Sequence, residues 1–111
     1  SYGYTILTAE NGEQSIQYYQ AQKEKIQLVI LDLIMPGKGG KKCLNDLIAI
    51  NPDAKVLMTS GYSSSQQIEE LIDAGAAGFI RKPYRQKDLL FSIRKIIDDD
   101  SSAGSGPYQQ R

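Results

Sequence analysis

Three polar residues of the sequence, Asp32, Ser60 and Lys82, have the side chains needed to handle a phosphoryl group. A carboxylate can accept the group, a hydroxyl can hydrogen-bond its oxygens, and a lysine ammonium can pair with its charge. Each residue follows an apolar run that predicts a strand. Singly, each has a simpler explanation: Asp32 could begin a turn, Ser60 could cap a helix, and Lys82 could be solvated. Their common position at strand ends is what favours a phosphoryl site.

The glycines and lysines after Asp32 raise the alternative of a nucleotide-binding loop. A P-loop requires a glycine five residues before Gly40 and a Ser or Thr at position 42, but these positions hold Met35 and Lys42. The dinucleotide fingerprint fails as well, because Lys42 also stands where its last glycine should be. The glycines are therefore interpreted as a turn into the next helix.

Composition limits the classes of protein to which this chain can belong. It has 111 residues, of which 41% are hydrophobic, and its 13 basic residues balance 13 acidic ones, which predicts one globular domain. Nucleic acid is not expected as a direct partner, because the longest charge run, residues 98–100, is acidic. No apolar run is long enough to span a membrane, and no signal peptide is expected.

Cysteine and histidine content narrows the classes further. A single cysteine, Cys43, excludes an internal disulfide and favours a reducing compartment, so a cytoplasmic location is expected. The chain contains no histidine. That excludes histidine-activated nucleophiles, zinc sites with histidine ligands, and a phosphohistidine of its own.

Short apolar runs alternate with longer amphipathic segments, which predicts four β-α units in succession. The predicted strands cover residues 4–9, 26–33, 55–59 and 78–81. The predicted helices cover residues 13–25, 41–50 and 86–98, with another that is capped by the serines at 63–65 and carries Ile68, Leu71 and Ile72. Such a succession predicts a doubly wound α/β parallel sheet with ligands at the carboxyl ends of its strands. Residues 1–98 are interpreted as the domain, and residues 99–111 as a disordered tail or linker.

Three segments carry a resemblance to a known family: DLIMPG from Asp32, TSGY from Thr59 and GFIRKP from Gly78. In this order and at these separations they resemble the signature segments of bacterial response-regulator receiver domains, over roughly residues 2–98. The resemblance implies a flavodoxin-like fold with Asp32 as phosphoacceptor, Ser60 as switch hydroxyl, Lys82 as the family's conserved lysine and Phe79 as switch aromatic. For Phe79, the sequence alone favours a core aromatic. A cis Lys82-Pro83 peptide bond is also expected, because this loop must aim Lys82 into the site.

The implied function is that of a phosphoacceptor receiver domain in a two-component system. A partner histidine kinase would donate phosphate to Asp32, and the domain would then change its interaction surface. The chain itself would at most phosphorylate itself from a phosphodonor and slowly dephosphorylate; it is not expected to be a kinase. The alternative is an incomplete receiver that binds a partner without being phosphorylated. A flavin or dinucleotide protein on the same fold lacks support, because no phosphate-binding glycine motif is present.

The chain departs from the family at its start, where the segment resembling the second strand comes first. The family's first strand and helix, with an acidic pair that helps to hold magnesium, are therefore expected to be absent from this chain. The evident Mg²⁺ ligands are Asp32, the Ile34 backbone carbonyl, the phosphoryl group and waters, so weak binding is expected. Glu10 could replace the pair if its strand moved into the gap, although a solvated glutamate is the simpler interpretation.

The missing strand is a central one in the family's 2-1-3-4-5 order, so its absence predicts an incomplete sheet. Either the first predicted strand moves beside residues 26–33, or a second copy supplies a strand by exchange or edge pairing. Self-association is the favoured expectation, because a shifted strand would force the following helix to repack against a new neighbour.

Overall fold

The computed structural model describes residues 5–35, 37 and 39–101, in which four strands alternate with four helices. The strands are Ile6–Ala9 (β1), Leu28–Asp32 (β2), Val56–Ser60 (β3) and Gly78–Arg81 (β4), and the helices are Gly12–Gln22 (α1), Gly40–Ile50 (α2), Ser65–Asp73 (α3) and Gln86–Ser101 (α4). Helix α4 thus continues through residues 99–101, the first part of the predicted tail. Position 4 of the first predicted strand and residues 102–111 of the tail lie outside the described residues.

The four strands form one parallel sheet in the order β1-β2-β3-β4, which confirms the predicted α/β class. Alternate residues of each strand face opposite sides, so β2 contributes Val29 and Leu31 to one core cluster and Leu28 and Ile30 to the other. Helices α1, α2 and α3 cover the first face through Tyr19, Leu44, Leu47, Leu71 and their neighbours. Helix α4 covers the second through Ile93 and Ile97. Because all four strands are parallel, their carboxyl ends lie at the same edge of the sheet.

Strand β1 lies directly beside β2, from Ile6 opposite Leu28 to Ala9 opposite Leu31. The described sheet therefore has no vacant central position, and the expectation that a second copy would fill one is wrong for this sheet. Direct pairing gives β1 and β2 the backbone partners that an open gap would deny them. Helix α1 keeps a neighbour as well, since Asn51 Nδ2 donates a hydrogen bond of 3.0 Å to the Tyr19 hydroxyl. Whether the chain self-associates in solution stays a prediction.

The helices begin and end where local chemistry favours it. Asn11 Oδ1 caps α1 by accepting from Gln14 N at 3.1 Å, and Ser64 forms a reciprocal capping box with Gln67 at the start of α3. Helix α3 ends before Gly75, whose φ of 116° is one that glycine adopts readily. Among the described residues, no helix combines the length and apolar character that crossing a bilayer requires.

Candidate functional site

Asp32 and Lys82 meet at the carboxyl edge of the sheet, although 50 positions separate them in the chain. Asp32 is the last residue of β2, Lys82 follows β4, and Lys82 Nζ donates a hydrogen bond to Asp32 Oδ2 within an ion pair. The Asp32 side chain is 30% exposed and the Lys82 side chain 43% exposed, so the carboxylate can be reached from solvent. The Lys82-Pro83 peptide bond is cis, as predicted.

The loop after β2 holds Asp32 in place through backbone contacts. Asp32 Oδ1 accepts a hydrogen bond of 3.0 Å from Ile34 N, and Leu33 N donates to Thr59 O at 2.8 Å. Gly40 N in turn donates to Leu33 O at 2.9 Å. A Cβ at Gly40 would lie only 2.4 Å from the Asp32 backbone oxygen, so glycine is required for this close approach. The glycine-rich turn therefore brings the start of α2 against the backbone that carries the carboxylate.

A cleft of about 330 Å³ opens beside Asp32 and Lys82. Its other lining residues are Thr8, Ala9, Glu10, Ile30, Ile34, Met35, Thr59 and Tyr84. Sequence reasoning did not identify Thr8, Thr59 or Tyr84 as part of a site. Thr59 lies opposite Asp32 in the register of β2 and β3, and that relation depends on which strands pair.

Ser60, the predicted switch hydroxyl, is not among the residues that line this cleft. It is 1% exposed, and its Oγ donates to Tyr62 O at 3.0 Å and accepts from Tyr62 N at 3.1 Å. Successive strand residues face opposite sides, so Thr59 rather than Ser60 shares the side of Asp32. The structure thus joins Asp32 with Lys82 and leaves the Ser60 hydroxyl engaged by the turn that follows it.

Phe79, the predicted switch aromatic, is half-buried and packs against the core cluster formed with α1, α2 and α3. The guanidinium carbon of Arg81 lies 5.8 Å from the centroid of its ring. Both contacts agree with the simpler interpretation of a core aromatic. Its role as a switch stays a prediction.

Because β1 pairs directly with β2, Glu10 lies at the cleft, as expected for a first strand in this position. Asp32 and Glu10 are the carboxylates among the lining residues, and the described part of the chain contains no cluster of three or more His, Cys, Asp or Glu suited to a metal ion. Mg²⁺ is commonly held by one or two carboxylates together with substrate phosphate and water. The donor set therefore fits Mg²⁺, with few protein ligands.

Comparison with known proteins agrees with this architecture. The model of the response regulator receiver domain family matches residues 1–94. Protein CcdB of Bacillus subtilis is 34% identical over 89 residues, which cover 80% of this chain and 72% of that protein. The chemotaxis protein CheY of Thermotoga maritima is 30% identical over 95 residues, which cover 85% of this chain and 78% of that protein. A cyclic di-GMP phosphodiesterase of the same organism is also 30% identical, but the chain spans only 25% of its length.

Solved structures show the same fold. A response regulator receiver domain protein from Clostridium thermocellum superposes with a TM-score of 0.78 at 25% identity, covering 86% of this chain and 75% of that one. The CheX-CheY-BeF3-Mg²⁺ complex from Borrelia burgdorferi gives a TM-score of 0.81 at 21% identity, covering 84% of this chain and 88% of that one. The family model matches most of this chain, and these relatives and solved structures agree with it. The chain therefore belongs to the response regulator receiver domain family.

Proposed function

We propose that this receiver domain accepts a phosphoryl group on Asp32 from a partner histidine kinase, and that the phosphorylated domain changes its interaction surface. The observation that carries the proposal is the Asp32-Lys82 pair, which lies in a solvent-accessible cleft at the carboxyl edge of the sheet. Parallel sheets bind their ligands at this edge. The family membership supplies the reaction class, and the pair supplies its chemical groups.

The proposed reaction is a transfer to a carboxylate. An oxygen of Asp32 forms a bond to phosphorus as the bond from phosphorus to the kinase's histidine nitrogen breaks, and the nitrogen keeps the electron pair. The Lys82 ammonium already contacts Asp32 Oδ2, so it is placed to pair with the charge of the transferred group. Glu10 lines the same cleft, but Lys82 pairs with Asp32, which favours Asp32 as the acceptor.

Receiver domains generally bind Mg²⁺, and we propose that Asp32 and Glu10 would hold it here, with Ile34 at the same cleft. When bound, Mg²⁺ would neutralise part of the phosphoryl charge. The small number of carboxylates predicts weak binding. The residues of the chain have the separate task of positioning: Ile34 N orients one carboxylate oxygen and Lys82 the other.

The Mg²⁺ assignment predicts that Glu10→Gln weakens binding by about tenfold, because a carboxylate near the cation is worth on the order of 1 to 4 kcal/mol. The measurement is a Mg²⁺ titration in which the NMR amide shift of Ile34 reports binding. It needs no phosphorylation. Glu13→Gln, on the first turn of α1, is the matched control and should leave the affinity unchanged. Equal affinities for the Glu10→Gln variant and the unaltered chain would remove Glu10 from the site.

The direct test of the function is to incubate the chain with acetyl phosphate and Mg²⁺, and in parallel with a phosphorylated histidine kinase. Intact mass should increase by one phosphoryl group, and peptide mapping after reductive trapping of the acyl phosphate should locate it at Asp32. A second candidate function, a receiver-like module that binds a partner without phosphorylation, is favoured by the small number of carboxylates at the cleft, whose lining includes Asp32 and Glu10. That function would be supported if neither donor labelled the chain.

Lys82→Gln is expected to slow phosphorylation by acetyl phosphate about tenfold to a hundredfold, because it removes the charge that offsets the transferred group. The lower figure allows for the exposure of the pair to solvent. Initial rates of labelling, measured at several donor concentrations, provide the check. Lys87→Gln removes an exposed charge from the first turn of α4 and should keep the rate of the unaltered chain. A Lys82→Gln variant with an unchanged rate would mean that Lys82 has no part in the transfer.

A further inference from the structure

Arg81, at the end of β4, connects that strand to residues 61–64, the loop that follows β3. Its Nη2 donates a hydrogen bond of 3.0 Å to the Ser63 backbone oxygen, and its guanidinium carbon lies 5.8 Å from the centroid of the Phe79 ring. Arg81 also lies opposite Ser60 in the register of β3 and β4. One cation thus contacts both the 61–64 loop and the aromatic residue that precedes it on its own strand.

The 61–64 loop supplies hydrogen-bond partners for the Ser60 hydroxyl. In the conformation observed, here called closed, Ser60 Oγ both donates to and accepts from the backbone of Tyr62. The hydroxyl is therefore already engaged in the closed conformation. The Ser63 oxygen that Arg81 holds belongs to the residue directly after Tyr62, so the Arg81 contact also restrains the Tyr62 backbone to which Ser60 is bonded. By restraining Tyr62, the Arg81 contact stabilises the two bonds that engage the Ser60 hydroxyl.

A second feature of the closed loop is a buried hydroxyl at Ser63, the residue whose backbone oxygen Arg81 contacts. Ser63 Oγ is buried and has no hydrogen-bond partner among the described residues. A buried hydroxyl without a partner lowers the stability of the conformation that contains it. The closed loop therefore carries a cost at Ser63, and the Arg81 hydrogen bond to the backbone oxygen of the same residue is one of the contacts that offset it.

We propose that Arg81 is a positioning residue that holds the 61–64 loop closed and so keeps the Ser60 hydroxyl bonded to the Tyr62 backbone. The hydrogen bond to Ser63 anchors the loop, and the Phe79 ring fixes the guanidinium that makes this bond. Only the consequence for phosphorylation rests on the proposed function. If Asp32 carries a phosphoryl group that Ser60 contacts, that contact must compete with the bonds between Ser60 and Tyr62, which the Arg81 contact stabilises.

The closing contact can be tested without phosphorylation, by amide hydrogen exchange. Arg81→Ala is expected to accelerate exchange at Tyr62, whose N–H donates to Ser60 Oγ, by about tenfold, which is the effect of losing one hydrogen bond from a charged donor. The amide of Leu33, which donates to Thr59 O, serves as the internal reference and should change less than about twofold. Arg85→Ala removes an exposed arginine that lies just before α4 and should affect neither amide.

Two results would overturn the proposal: unchanged exchange at Tyr62 in Arg81→Ala, or an equal increase at Tyr62 and Leu33, which would indicate general destabilisation. Phosphorylation by acetyl phosphate gives the second readout, and a labelled state that persists several-fold longer in Arg81→Ala is expected. Faster Tyr62 exchange in a chain that no donor labels would support the Arg81 contact and contradict the proposed function. Labelling of Asp32 with unchanged Tyr62 exchange in Arg81→Ala would support the proposed function and contradict the role of the Arg81 contact.

Discussion

Asp32→Asn is expected to reduce phosphorylation of the chain by about a thousandfold or more, because an amide cannot replace a carboxylate nucleophile. The substitution leaves the shape of the side chain intact. The amide oxygen of asparagine can still accept the hydrogen bond from Ile34 N, so the loop keeps its anchor. The Asp32-Lys82 ion pair is partly exposed, and its loss should change the free energy of unfolding by only about 1 kcal/mol or less. The Asp32→Asn variant is therefore expected to lose phosphorylation while it stays folded.

The measurement is the initial rate of labelling from acetyl phosphate and from a phosphorylated kinase, together with urea unfolding. Asp73→Asn is the matched control, because Asp73 is an exposed acid at the end of α3 that is not among the residues lining the cleft. Its rate should equal that of the unaltered chain. Labelling that persists in Asp32→Asn would show that another residue accepts the phosphoryl group, and Glu10 would then be the first residue to examine.

Gly40→Ala is expected to destabilise the domain by about 3 kcal/mol or more, since overpacked sites typically cost 1–3 kcal/mol and this one offers no soft neighbour. A Cβ at this position would lie 2.4 Å from the Asp32 oxygen, 2.5 Å from Leu33 Cα and 2.7 Å from the Leu33 oxygen. All three are backbone atoms, so no side-chain rotation can make room. The higher helix propensity of alanine, worth about 1 kcal/mol, does not offset this clash.

Gly39→Ala provides a control one residue away. Its Cβ would have no atom within 4 Å, and its φ of −67° suits any residue, so the free energy of unfolding should change by about 1 kcal/mol or less. Urea unfolding monitored by circular dichroism gives both values. Equal stability of the two variants would mean that the start of α2 can move away from Asp32 at little cost. The close packing of α2 against the backbone of Asp32 would then contribute little to the free energy of unfolding.

The sequence by itself determined the succession of β-α units and the placement of Asp32 and Lys82 at strand ends. Continuous apolar runs such as residues 28–31 suit strands that are buried on both faces, and such strands lie parallel with helices on each side. Since parallel strands share a carboxyl edge, polar residues after two different strands were expected to meet. The ion pair between them confirms that expectation. Helix ends were less well determined, because α4 continues beyond residue 98 without a stop signal.

Only the tertiary structure decided which strands pair and where each side chain finds its partner. Strand β1 pairs with β2 because paired backbone groups are more stable than a gap, and that choice brings Glu10 to the cleft. Whether Thr59 or Ser60 faces Asp32 depends on the register between β2 and β3, where a shift of one residue exchanges the two faces. Local sequence patterns contain no information on such long-range choices, because the competing partners lie tens of residues away and only the folded chain brings them together.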